Sequence, residues 1–150
     1  MAPARTDSSP RARGKVLIVD AQEGIRDLLK TILETDYHVA EADSGAALHK
    51  ALEQEQPDVV LLDLKLPDAN GLGLLPTIKH RWPETEVIVM SGAPGDGEGV
   101  AWAAEAVKSG ACGFLSKSAE FDFQQLLAGV SNALERRYEI LRASPSPPGG

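Results

Sequence analysis

Three short apolar runs, each ending at a polar side chain, constrain this fold more than any other feature. Residues 15–20 read KVLIVD, residues 59–63 read VVLLD and residues 86–91 read EVIVMS. A strand with one wet face alternates apolar and polar residues. An unbroken apolar run of about four instead suits a strand covered on both faces, the condition of a parallel sheet packed between helices.

The segments between the runs carry the helical period. Ile25, Leu28, Leu29, Ile32 and Leu33 fall at i, i+3, i+4, i+7 and i+8, which predicts an amphipathic helix over 22–34. Residues 37–41 read as a short strand. Ser44 is placed to cap a helix over 45–55 that buries Ala47, Leu48, Ala51 and Leu52. After the second run, a loop with Pro67 and Gly71 leads to a helix over 72–81, with Pro76 in its first turns, where a missing N–H is tolerated. After the third, Gly92, Gly95, Gly97 and Gly99 make a flexible loop before a helix over 99–109 that Gly110 can close. A strand over 112–116 follows. The last helix, over 121–141, has Phe123, Leu126, Leu127, Val130, Leu134, Tyr138 and Leu141 as its stripe. The sum is (βα) five times, an α/β fold with a parallel sheet between two helical layers and right-handed crossovers.

Composition removes several function classes. Formal net charge is −7. Arg5, Arg11 and Arg13 against Asp7 put a surplus of +2 on residues 1–14, so the remainder carries −9. An acidic body argues against direct nucleic-acid binding, which needs a basic face. No apolar run reaches the ~20 residues of a membrane span, and the first residues lack the apolar core of a secretory signal. One cysteine permits no intrachain disulfide and points to a reducing, cytoplasmic setting. Proline and glycine at both ends predict disordered tails over 1–14 and 143–150, flanking a folded unit over 15–142.

An open parallel sheet forms its crevice at the carboxyl ends of the strands. The residues found there are Asp20, Asp63 followed by Lys65, Ser91 and Lys117, with Glu41 and Asp43 after the second strand. Two carboxylates can hold a hard divalent cation. A carboxylate can also be a nucleophile that forms an aspartyl phosphate. An ammonium and a hydroxyl can bind phosphoryl oxygens. Phosphoryl transfer asks chiefly for positioning and charge neutralisation.

On these residues the chain resembles the receiver domain of two-component response regulators, the CheY-like family. The resemblance rests on Val19–Asp20, on residues 61–67 (LLDLKLP) followed by Gly71, on residues 89–93 (VMSGA) and on residues 113–117 (GFLSK). It implies a flavodoxin-like three-layer sandwich with a five-stranded parallel sheet of order 2-1-3-4-5. It also implies that Asp63 accepts a phosphoryl group from a histidine kinase or phosphotransfer protein, and that Asp20, Asp63 and the backbone carbonyl of Lys65 bind Mg²⁺. Ser91 and Lys117 would then contact the phosphoryl oxygens. Phe114 would stand at the aromatic switch position, turning inward as Ser91 is drawn to the phosphate. Such a protein is a signalling phosphoacceptor and no enzyme beyond its own phosphorylation and dephosphorylation. It signals to a downstream protein or an output domain. The face of the fourth helix, fifth strand and fifth helix would bind partners or a second copy.

Three positions depart from the family pattern. Ala21 stands where a second acid is usual, which weakens attraction for Mg²⁺; Glu23 could reach in from the first helical turn or simply favour the helix dipole. Lys65 either neutralises part of the phosphate charge or is a solvated loop lysine. Ser118 replaces a common cis-proline, and because a non-proline cis bond costs about 2.5–4 kcal/mol, a trans bond is expected. Ala21 and Ser118 also allow an alternative, a receiver that acts as a phosphorylation-independent interaction module.

Other chemistries fit less well. The glycines at 95, 97 and 99 complete no G-x-G-x-x-G, no phosphate-loop motif occurs, and neither Asp20 nor Asp63 opens a D-x-D. The loop after Asp20 lacks the hydroxyls that a flavin phosphate would want. His38, His49 and His80 are not at metal-ligand spacing. Cys112 reads as a small hydrophobe in a strand. Trp102 suits either an interface or the core. Arg136, Arg137, Tyr138 and Leu141 could lead into an output domain or a dimer contact, so the chain reads either as a lone receiver or as one separated from its effector.

Overall fold

This computed structural model describes residues 14–91, 98–117 and 122–143. Strand and helix alternate through them: β1 (Lys15–Val19), α1 (Glu23–Leu33), β2 (His38–Ala42), α2 (Gly45–Glu55), β3 (Val59–Asp63), α3 (Gly71–Arg81), β4 (Glu86–Ser91), α4 (Glu98–Lys108), β5 (Gly113–Ser116) and α5 (Phe123–Ala143). The five strands are all parallel, in the order β2-β1-β3-β4-β5, as the resemblance implies.

The apolar runs divide by parity, as a pleated strand requires. Leu17, Val19, Val60, Leu62, Val87 and Val89 meet Leu48 and Leu52 of α2, Leu75 and Ile78 of α3 and Ala106 of α4. Val16, Ile18, Val59, Leu61, Ile88 and Met90 meet Leu29 and Leu33 of α1 and Leu126, Val130 and Ala133 of α5. The central strands are therefore dry on both faces, which is why their sequence shows no alternation.

Local chemistry sets the element ends. The Ser44 hydroxyl accepts from the Ala47 N–H at 3.1 Å, and Gly110 holds φ +110 after α4. Asp122 Oδ1 accepts from the Gln124 and Gln125 N–H groups at 2.9 and 3.3 Å and starts α5.

Several expectations are corrected. Pro76 is the sixth residue of α3, beyond the first turn, so its missing N–H leaves the Leu72 carbonyl without its usual helical donor. Leu28 of α1 and Phe123, Tyr138 and Leu141 of α5 are exposed. The α5 stripe outruns the sheet because 21 helical residues span about 32 Å, whereas a five-residue strand spans about 17 Å. Cys112 precedes β5 and is half-buried. Beyond the sheet's end, α5 is still held: Arg136 Nε lies 3.5 Å from Glu86 Oε2, and Arg137 Nη1 lies 3.1 Å from Asp58 Oδ1. Residues 1–13 and 144–150, the segment 92–97, Ser118 and the side chain of Trp102 lie outside the described residues.

Candidate functional site

Parallel register brings the strand ends together. Val19 pairs with Leu62, Asp63 with Met90, and Ser91 with Ser116. The ladders run one residue further: Asp20 N–H donates to the Ala42 carbonyl at 3.1 Å, Leu64 N–H to Met90 at 3.1 Å and Lys117 N–H to Ser91 at 2.8 Å. Asp20, Asp63, Ser91 and Lys117 thus stand side by side along one edge of the sheet.

Three of them touch. Lys117 Nζ lies 2.7 Å from Asp20 Oδ2 and 3.2 Å from Asp63 Oδ2. Asp20 is 0% exposed and Asp63 4%. The other oxygens are also held: Asp20 Oδ1 accepts from the Gln22 N–H at 2.8 Å, and Asp63 Oδ1 from the Lys65 N–H at 3.2 Å. Burial and then the neighbouring Asp20 carboxylate raise the Asp63 pKa above its ordinary value, while the Lys65 N–H and the Lys117 ammonium oppose that rise. The result is a carboxylate more basic than usual, with the buried Lys117 ammonium against it.

The remaining predicted residues fall around this centre. Ser91 is buried beside Lys117. The Lys65 side chain is exposed, and no described residue donates to its carbonyl. Ala21 is exposed at the mouth, and Glu23, in the first turn of α1, is exposed as well. Phe114 is 50% exposed and so lies outward. Among the described residues no three His, Cys, Asp or Glu side chains are grouped to hold a metal, and with alanine at position 21 the edge carries the two carboxylates Asp20 and Asp63.

Gly71 makes the site possible. A Cβ there would lie 2.6 Å from the Asp63 carbonyl oxygen and 2.9 Å from the Leu64 Cα, so only glycine lets α3 start against the strand end. Two side chains were not anticipated. Arg26 Nη1 donates to the Asp20 carbonyl at 2.7 Å, and its Nε lies 3.2 Å from Glu41, which ties α1 and β2 to the strand end. Asp68 accepts from the N–H groups of Gly45 and Ala46 at 2.7 and 3.1 Å. Arg26 was discoverable as a basic residue one turn into α1. Asp68 had no local signal, because its partners are more than 20 residues away in sequence.

A family model described as the response regulator receiver domain matches residues 16–131. The chain belongs to that family. Among its relatives, NtrC, a DNA-binding transcriptional regulator of Proteus hauseri, is 36% identical over 123 residues, covering 81% of this receiver and 25% of that protein. The chemotaxis protein CheY of Listeria monocytogenes is 34% identical over 110 residues, covering 72% of this receiver and 89% of that protein. This receiver therefore spans about a quarter of the first relative and most of the second. The signal receiver domain of an HD domain-containing protein from Pseudomonas fluorescens superposes with a TM-score of 0.77 at 28% identity, covering 87% of this receiver and 93% of that chain. A beryllofluoride-activated NtrC4 receiver dimer gives 0.74 at 32% identity, covering 82% and 98%. No helix among the described residues is long and apolar enough to cross a membrane.

Proposed function

We propose that Asp63 accepts a phosphoryl group from a phosphohistidine on a histidine kinase or phosphotransfer protein. The buried Asp20–Lys117–Asp63 cluster carries this reading. A carboxylate oxygen of Asp63 attacks the phosphorus, the P–N bond to the donor imidazole breaks, and the imidazole nitrogen takes a proton as it leaves. The raised basicity of Asp63 favours attack, and burial excludes the water that would compete. Lys117, already 3.2 Å from Asp63, follows the charge onto the phosphoryl oxygens, and the Ser91 hydroxyl supplies a second donor.

The oxygen donors present fit Mg²⁺, which takes one or two carboxylates and completes its shell with water and phosphate oxygens. Asp20, Asp63 and the Lys65 carbonyl would hold it, with affinity lowered by Ala21. When bound, the ion would neutralise charge on the phosphoryl group.

Phosphorylation adds roughly −1.5 to −2 charges and three acceptor oxygens. Ser91 and Lys117 turn toward them, and Phe114, now outward, moves in behind Ser91. This changes the face made by α4, β5 and α5, through which a downstream protein, an output domain or a second copy would dock. The test is acetyl phosphate with and without Mg²⁺, followed by intact mass. The expected result is a gain of one phosphoryl group that is absent in Asp63→Asn. Equal gain in that variant, or none in the wild type, refutes the assignment.

A further inference from the structure

The loop between β3 and α3 is anchored at both ends. At one end, the Lys65 N–H donates to Asp63 Oδ1 at 3.2 Å. Within it, Leu66 N–H donates to the Ala69 carbonyl at 3.2 Å, and Gly71 N–H to the Leu64 carbonyl at 2.9 Å. At the other, both Asp68 carboxylate oxygens reach across to α2, taking the Gly45 N–H at 2.7 Å and the Ala46 N–H at 3.1 Å. The seat is close-fitting: a Cβ on Gly45 would lie 3.2 Å from both Asp68 Oδ1 and the Ala69 Cβ. The two donors, Gly45 first, hold the Asp68 carboxyl below its ordinary pKa, so it is anionic at neutral pH and lies at the positive end of α2. Ser44 caps the same helix through a different donor, the Ala47 N–H, so the two contacts can be removed separately.

We propose that Asp68 is a positioning residue: it fastens the phosphoacceptor loop to α2 and so sets where the Lys65 carbonyl and N–H stand relative to Asp63. The proposal rests on the reading of Asp63 as phosphoacceptor. It also makes α2 a sensor of the site, since any tightening of the loop on Mg²⁺ or phosphoryl binding is felt at Gly45 and Ala46, and the reverse.

Ser44→Ala separates the two roles, for it weakens the same helix start without touching the loop. In the full chain without metal, Asp68→Ala should speed amide exchange at Leu66 and Gly71 by about tenfold, the scale of a lost cap, while Ser44→Ala speeds exchange at Ala47 alone. In MgCl2 titrations followed at the Lys65 amide by NMR, Asp68→Ala should weaken binding several-fold, Asp68→Asn less, and Ser44→Ala not at all. Unchanged exchange at Leu66 and Gly71 in Asp68→Ala, or an equal change there in Ser44→Ala, overturns the proposal. If wild type takes up neither Mg²⁺ nor a phosphoryl group, the functional reading falls, while the metal-free exchange contrast still decides the role of Asp68.

Discussion

Replacing Lys117 by methionine removes the cation shared by two buried carboxylates while keeping the stem's volume. At about 3 Å and an effective dielectric near 20, each ion pair is worth about 5 kcal/mol before desolvation. Measured losses on removing one partner of a buried pair are about 3–5 kcal/mol, and Lys117→Met should fall in that range. The loss should depend on pH. Asp63 already titrates above its ordinary value of 3.8, and the variant lacks both of the Lys117 contributions that hold it down, so its pKa rises further. A carboxyl whose pKa is raised in the folded state costs nothing below its unfolded pKa. It then destabilises by about 1.4 kcal/mol per pH unit as pH climbs from the unfolded pKa to the folded one. Urea unfolding in chelator should therefore show a larger gap between variant and wild type at about pH 7.5 than at about pH 4.5. A gap below about 1 kcal/mol, or one equal at both pH values, refutes the view that Lys117 neutralises this pair.

Ala21→Asp adds a carboxylate at the mouth of the site; at about 4 Å each unit charge pair contributes about 4 kcal/mol, mostly offset by desolvation, so Mg²⁺ affinity should rise roughly tenfold by titration. Gly71→Ala forces a Cβ against the Asp63 and Leu64 backbone; it should lose about 1–3 kcal/mol in denaturant unfolding and slow phosphorylation by acetyl phosphate. Burial, with Glu86 nearby, pushes the Cys112 thiol up to about 11 from 9.0, so alkylation near neutral pH should be about a hundredfold slower in the native chain than in urea.

Strands β1, β3 and β4 are legible because burial on both faces leaves an unbroken apolar run. The edge strands β2 and β5 are shorter signals: His38, Glu41, Phe114 and Ser116 are exposed, and the β2 boundary falls one residue later than its pattern suggests. Parallel order puts Asp20, Asp63 and Lys117 on one edge of the sheet, but the Lys117 side chain must still reach across β4 to meet the two carboxylates. What depends on side-chain reach is not legible. Asp68 finds α2 across 23 residues of sequence, with nothing local to announce it, whereas Arg26 reaches the Asp20 carbonyl from only six residues away. The stripe of α5 misleads because its period persists where no sheet remains beneath it.

The way α5 closes the molecule has a practical consequence for where the domain may be cut. The family pattern ends at residue 131, yet Ala133 lies in the second core, Leu134 packs against it, and Arg136 and Arg137 reach Glu86 and Asp58 at the amino ends of β4 and β3. Truncation at 131 would spare every residue around Asp63 while unsealing the opposite pole. Such a fragment would keep its chemistry on paper and lose the scaffold that aims it.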